Sequence, residues 1–110
     1  RGRFLPEIAE ILRHHHERWD GGGTPDGFTG DEIPLLARVL NVAENFERMT
    51  SSGGAPAEVL DRITADAGTV FDPAVVDALA RLVGDGERLA SMMRSRPQEN
   101  RRAADLVART

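Results

Sequence analysis

Between Asp20 and Gly30 the chain places five glycines and a proline, and no regular helix or strand continues through such a composition. That break divides the chain into what must end before it and what must start after it. Upstream, Pro6 stands where the first turn of a helix tolerates it, and Ile8, Ile11, Leu12, His15 and Trp19 recur at three- and four-residue spacing. The spacing predicts an amphipathic helix whose buried stripe runs on into His15. Glu7, Glu10, His14 and Glu17 take the opposite, solvated face, so His14 is expected to point to solvent. His16 lies beside the stripe, one turn on from Leu12.

Downstream, Leu35, Leu36, Val39, Leu40, Val42, Ala43 and Phe46 predict a second helix over about 34–50. Its apolar face is wide, as in a central helix with neighbours on several sides. Ser51 to Ala55 breaks the chain again, and Pro56 to Ala67 predicts a third helix through Val59, Leu60 and Ile63, with Gly68 as its stop. Asp72 followed by Pro73 is the clearest helix start, since the carboxylate accepts from free backbone N–H groups while proline fills the first helical position. Val75, Val76, Leu79, Leu82 and Val83 form the buried stripe of that helix, and Gly84 is expected to end it. A short helix over Glu87 to Met93 and another after Pro97 complete an all-α helical bundle of about five to six helices. No segment alternates with period two for long enough to make a strand.

The 110 residues fit a single domain that needs no disulfide to fold. Cysteine is absent, which excludes a thiolate metal site and leaves imidazole and carboxylate as the metal ligands available, a set suited to iron, manganese or zinc. No apolar run approaches a membrane span and no signal-peptide core opens the chain, so the expected setting is cytoplasmic. All 14 cationic side chains are arginine, and the net charge of -4 gives no general reason to bind nucleic acid. Residues 94–110 are the local exception, with Arg94, Arg96, Arg101, Arg102 and Arg109 against Glu99 and Asp105. A solvated tail or linker helix accounts for that run as well as an interaction surface does.

The chemistry concentrates in His15-His16-Glu17-Arg18-Trp19-Asp20-Gly21-Gly22-Gly23-Thr24-Pro25. A helix ending in two imidazoles can set both beside a metal, because neutral histidine nitrogen is the commonest ligand for first-row metals. Two ligands do not complete a site, and a His-His pair also serves as a semi-buried cap on a core helix.

The whole eleven-residue stretch resembles the signature of HD-GYP domains, bacterial metal-dependent phosphodiesterases of cyclic di-GMP signal transduction. The similarity continues through Ile33-Pro34, Ala37-Arg38-Val39-Leu40 and Val42-Ala43, and resumes at Gly68-Thr69 and Phe71-Asp72-Pro73. On that resemblance residues 1–93 correspond to the C-terminal part of such a domain, followed by the arginine-rich 94–110. It implies that His15 and His16 are metal ligands, with Glu44 where the family has a metal-binding aspartate. It makes Asp20, Gly21, Gly22, Gly23, Thr24 and Pro25 the loop that meets substrate or partner, and Glu17 and Glu47 supporting residues around the ligands. Implied cofactors are divalent iron or manganese. Implied partners are cyclic di-GMP and GGDEF-type or other signalling proteins, with a homodimer as a further expectation and no nucleic acid or membrane.

Several positions depart from the family pattern. Thr24 replaces the tyrosine of the Gly-Tyr-Pro element, Glu44 and Glu47 replace aspartates, and the phosphate-contacting segment is shortened to Ser52-Gly53-Gly54-Ala55. Glu44 also stands at the spacing of a helix-surface ion pair with Arg48, and sequence alone leaves that alternative to ligation open. The family's histidine-aspartate pair, a lysine and a further histidine precede the matched region, and an outward-facing His14 cannot replace them. The chain by itself is therefore expected to be catalytically impaired, part of a phosphodiesterase site. The alternatives are a non-catalytic interaction or regulatory module on the same scaffold and an unrelated all-α regulator that uses its arginine-rich tail on nucleic acid.

Overall fold

The computed structural model describes residues 4–95. Among them the chain forms α1 (Phe4–His14), a single 3-10 turn (Gly30–Glu32), α2 (Leu35–Ser51), α3 (Pro56–Ala65) and α4 (Pro73–Ser95). Extended pairing is limited to two isolated bridges, Asp20 with Thr29 and Ala67 with Phe71. The architecture is all-α, as the periodicities require. The helix expected after Pro97 lies outside the described residues.

The core sits where α2, α3 and α4 meet. Val42, Val59, Ile63, Phe71 and Val76 are all buried there, with Phe46, Met49, Val75 and Leu79 packed against them. Val59 and Ile63 stand one turn apart on α3, so both enter the same contact. Asp72 caps α4 as its sequence position indicates, accepting the Ala74 N–H at 2.9 Å on Oδ1. Its other oxygen accepts Arg38 Nη1 at 2.7 Å, and Arg38 Nε donates to the Ile33 carbonyl at 2.9 Å. One guanidinium thereby ties the start of α2 to the start of α4, and it also lies 5.9 Å from the centre of the Trp19 ring.

Four expectations are corrected. α4 does not stop at Gly84 but continues to Ser95, absorbing the separate helix expected over Glu87–Met93. A glycine inside a helix weakens it by about 1 kcal/mol without breaking it, and an Asp85–Arg88 ion pair one turn apart supports that stretch. Leu82, placed on the buried stripe, is 69% exposed and lines an open cleft between α2 and α4 with Leu35, Val39 and Leu79. The wide apolar face of α2 is covered on one side only, for Ala37 and Val42 are buried while Leu35, Leu36 and Val39 remain open. The stripe of α1 is likewise uncovered at Ile8 and Leu12, since α2 is the one helix against which α1 makes substantial contact.

Candidate metal centre

α1 ends at His14, where the Glu17 N–H reaches back to the His14 carbonyl at 3.0 Å and closes a turn. Beyond that point helical spacing no longer tells which way a side chain faces. His14 and Glu17, expected on the solvated face, are in fact both 2% exposed. The His14 ring stacks on Phe28 with centroids 4.5 Å apart; its Nδ1 donates to Glu17 Oε2 at 2.8 Å and its Nε2 meets Glu10 Oε2 at 3.2 Å.

Glu17 is the hub of the glycine-rich loop. Its Oε2 also accepts the Asp26 N–H and its Oε1 the Phe28 N–H, each at 3.1 Å. Burial pushes this carboxyl up, but the bond from His14 and the amides of Asp26, Phe28 and Gly27 outweigh burial and hold it below its ordinary value. The loop is also pinned from α3's far end, where Trp19 N–H and Asp20 N–H donate to the carbonyls of Val70 and Thr69 at 3.1 and 2.9 Å. That receiving turn depends on Gly68, whose φ of +89° a side chain rarely adopts.

Within the loop Asp20 accepts two bonds from Arg18 and one from the Gly22 amide, and these hold its carboxyl below its ordinary value. Gly23 lies flat against the turn above it. A Cβ there would sit 2.6 Å from Glu17 Cα and 2.7 Å from its carbonyl carbon. Gly23→Ala is therefore expected to destabilise the fold by about 1–3 kcal/mol through overpacking, measured by urea unfolding. Gly84→Ala, whose Cβ would meet nothing within 4 Å, should be neutral or mildly stabilising. Thr24 and Pro25 form the exposed tip, joined by a cis peptide bond.

His15 has the features of a ligand. Its Nδ1 lies 2.5 Å from the Leu12 carbonyl, an atom that can only accept, so Nδ1 donates this bond and Nε2 is turned away from it. Such an anchor on one ring nitrogen is what orients metal-bound imidazoles. Nε2 stands 3.4 Å from Glu44 Oε2, with the His15 side chain 15% exposed and Glu44 48%. Two ligands each ~2.1 Å from a first-row metal are typically ~3.0–3.5 Å apart, so this separation suits a shared cation as well as it suits a direct His15–Glu44 ion pair. His16 is exposed rather than inward, but its ring lies against that of His15 with centroids 3.9 Å apart. His15 is thus brought to Glu44 of α2, while the contact of His16 is with the His15 ring. Glu47 does not join them: it is exposed and accepts from Ser51 Oγ at 2.6 Å.

Among the described residues, the group that brings three potential ligand atoms within 4.8 Å of one another is a different one, His14, Glu17 and Asp26. Its lone pairs are taken. Both Glu17 oxygens receive N–H donors, both His14 nitrogens meet carboxylates, and Asp26 receives Arg13 at 3.2 and 3.3 Å. Within this group His14 and Glu17 form a buried buttress for the loop, with the exposed Asp26 at its edge. Sequence reasoning missed the buttress because the returning loop covers His14 with Phe28 and gathers on Glu17, which helical facing along α1 does not describe. The clue was present in a glutamate next to a loop rich in unpaired amides.

A family profile described as HD domain matches residues 2–75. The cyclic di-GMP phosphodiesterase response regulator RpfG of Xanthomonas campestris pv. campestris is 42% identical over 84 residues, covering 72% of this chain and 22% of that protein. A cyclic di-GMP phosphodiesterase of Thermotoga maritima is 39% identical over 79 residues, covering 67% of this chain and 22% of that protein. The crystal structure of a cyclic GMP-AMP-specific phosphodiesterase of V. cholerae matches with a TM-score of 0.73 at 31% identity, covering 80% of this chain and 21% of that one. The chain spans about a fifth of the length of the curated relatives it matches.

Proposed function

Because the chain belongs to the HD domain family, we propose that it forms one wall of the active site of a cytoplasmic phosphodiesterase that hydrolyses a cyclic dinucleotide, cyclic di-GMP foremost. HD-domain phosphohydrolases are metal-dependent, and here His15, His16 and Glu44 would hold the ion, iron or manganese. The observation that carries this is the His15 ring, fixed by the Leu12 carbonyl on one side and open toward Glu44 on the other. The names and substrates of the relatives agree with it.

A bound divalent ion supplies a Lewis acid for phosphate oxygens and lowers the pKa of a coordinated water. The chain's own residues do the rest of the positioning. Glu17 holds the loop against α1, and the Trp19 and Asp20 amides dock it on Thr69 and Val70. This keeps His15 beside Glu44 of α2. The longer side chain of Glu44, relative to the family's aspartate, reaches His15 across the α1–α2 contact.

Three ligands are fewer than a two-metal hydrolytic centre uses, so the remaining donors would come from other parts of the polypeptide. The 110-residue chain alone is expected to show no hydrolysis of cyclic di-GMP with Mn2+ or Fe2+ above a His15→Ala, His16→Ala control. Turnover above that control would overturn the impairment. The full-length protein, in contrast, should contain iron or manganese by metal analysis and hydrolyse cyclic di-GMP; metal-free, inactive full-length protein would favour the second reading. That second reading is a non-catalytic module docking GGDEF-type or other signalling proteins, and the exposed Thr24-Pro25 tip supports it.

A further inference from the structure

α2 carries a polar ladder beside the candidate metal centre. Asn41, Glu44, Asn45 and Arg48 stand at positions i, i+3, i+4 and i+7, so they line one side of the helix. Asn41 Nδ2 makes a long contact of 3.5 Å to the Glu17 carbonyl. Asn45 Nδ2 donates to the Asn41 carbonyl at 2.7 Å and to Asn41 Oδ1 at 3.0 Å. With its amide nitrogen committed in that direction, Asn45 turns Oδ1 toward the next turn, where it accepts Arg48 Nη2 at 2.6 Å.

The consequence lies in what Arg48 does not do. Glu44, four residues earlier, is at the favourable spacing for an ion pair with it, yet Glu44 is directed to His15. No carboxylate among the described residues forms an ion pair with Arg48, and its partner is a neutral amide oxygen. The other arginine of α2, Arg38, is committed to Asp72. Arg48 therefore keeps its charge and most of its N–H donors free. Together with Glu44 and Glu47 it lines an open depression of about 490 Å3.

We infer that Arg48 binds a non-bridging phosphate oxygen of the substrate, oriented for that contact by the Asn41–Asn45 ladder. The planar guanidinium fork matches two oxygens of a phosphodiester, and it offsets the carboxylates that line the same depression. The loop that follows α2, Ser52 to Ala55, offers no cation for the purpose. Asn45 is a positioning residue: it holds Arg48 and does not itself meet the ligand. The inference rests on the phosphodiesterase reading above.

The test is equilibrium binding of cyclic di-GMP, and separately of inorganic phosphate, to the full-length protein loaded with Mn2+. Arg48→Ala is expected to weaken both about tenfold, as loss of a charge-assisted hydrogen bond does, with a shallower dependence on salt and with Mn2+ affinity unchanged. Arg48→Lys should recover part of the loss, and Asn45→Ala should show a smaller loss that Arg81→Ala, an exposed arginine on α4, does not. Equal binding by Arg48→Ala and the unaltered protein overturns the inference and leaves the phosphodiesterase reading standing. If the unaltered protein binds neither probe, both fall.

Discussion

Glu17→Gln is expected to lower folding stability by about 3 kcal/mol, the scale of breaking a buried, hydrogen-bonded charge. In a domain of this size that corresponds to a fall in Tm of roughly 15 °C. The replacement has the same shape, so no cavity contributes. What changes is that an amide nitrogen must face a donor, because both oxygens of Glu17 now accept from His14, Asp26 and Phe28. The loop from 20 to 28 then keeps its Arg18–Asp20 and Arg13–Asp26 pairings, the stacking of Phe28 on His14 and the docking of Asp20 on Thr69, but loses the buried carboxylate at its centre.

Acid should reveal the same group. Its folded pKa is held below the ordinary carboxyl value of 4.5, so its contribution is complete above that value and is lost as pH falls through the lowered one. The acid limb of a stability-against-pH curve should therefore be shallower in Glu17→Gln. Identical Tm values for the two proteins at neutral pH would contradict the hub role of Glu17.

The second large effect separates two adjacent histidines. His15→Ala is expected to lower Mn2+ affinity by about a hundredfold, at least the upper end of what removing a group around a metal costs, with little change in Tm. His14→Ala is expected to do the reverse. Its ring is 2% exposed between Phe28, Glu17 and Glu10, so its removal leaves a cavity and a buried carboxylate short of a donor. Isothermal titration with Mn2+ and thermal unfolding of both variants check the pair. Strong loss of Mn2+ affinity in His14→Ala, with none in His15→Ala, would move the metal to the His14, Glu17 and Asp26 group.

The helices were legible because each has a local cause. Apolar residues repeat at helical spacing through Val59 and Ile63, Asp72 caps α4, and the glycines from 21 to 30 break the chain where the loop stands. The end of α4 was not, because a glycine is a weak stop when the residues after it favour helix. His15 and Glu44 were named as candidate ligands through the resemblance, and the structure adds the 3.4 Å that separates them.

By itself, then, the sequence determined an all-α chain broken at a glycine loop, together with the family to which its motifs belong. Periodicity, caps and breakers act over a few residues and can be read in order. Only the tertiary structure decided that His14 and Glu17 are buried while His16 is open, and that Arg48 bonds Asn45 rather than Glu44. Those outcomes depend on where the chain goes after α1 leaves helical geometry, and on which partner an adjoining helix brings within reach. Spacing along one segment contains neither.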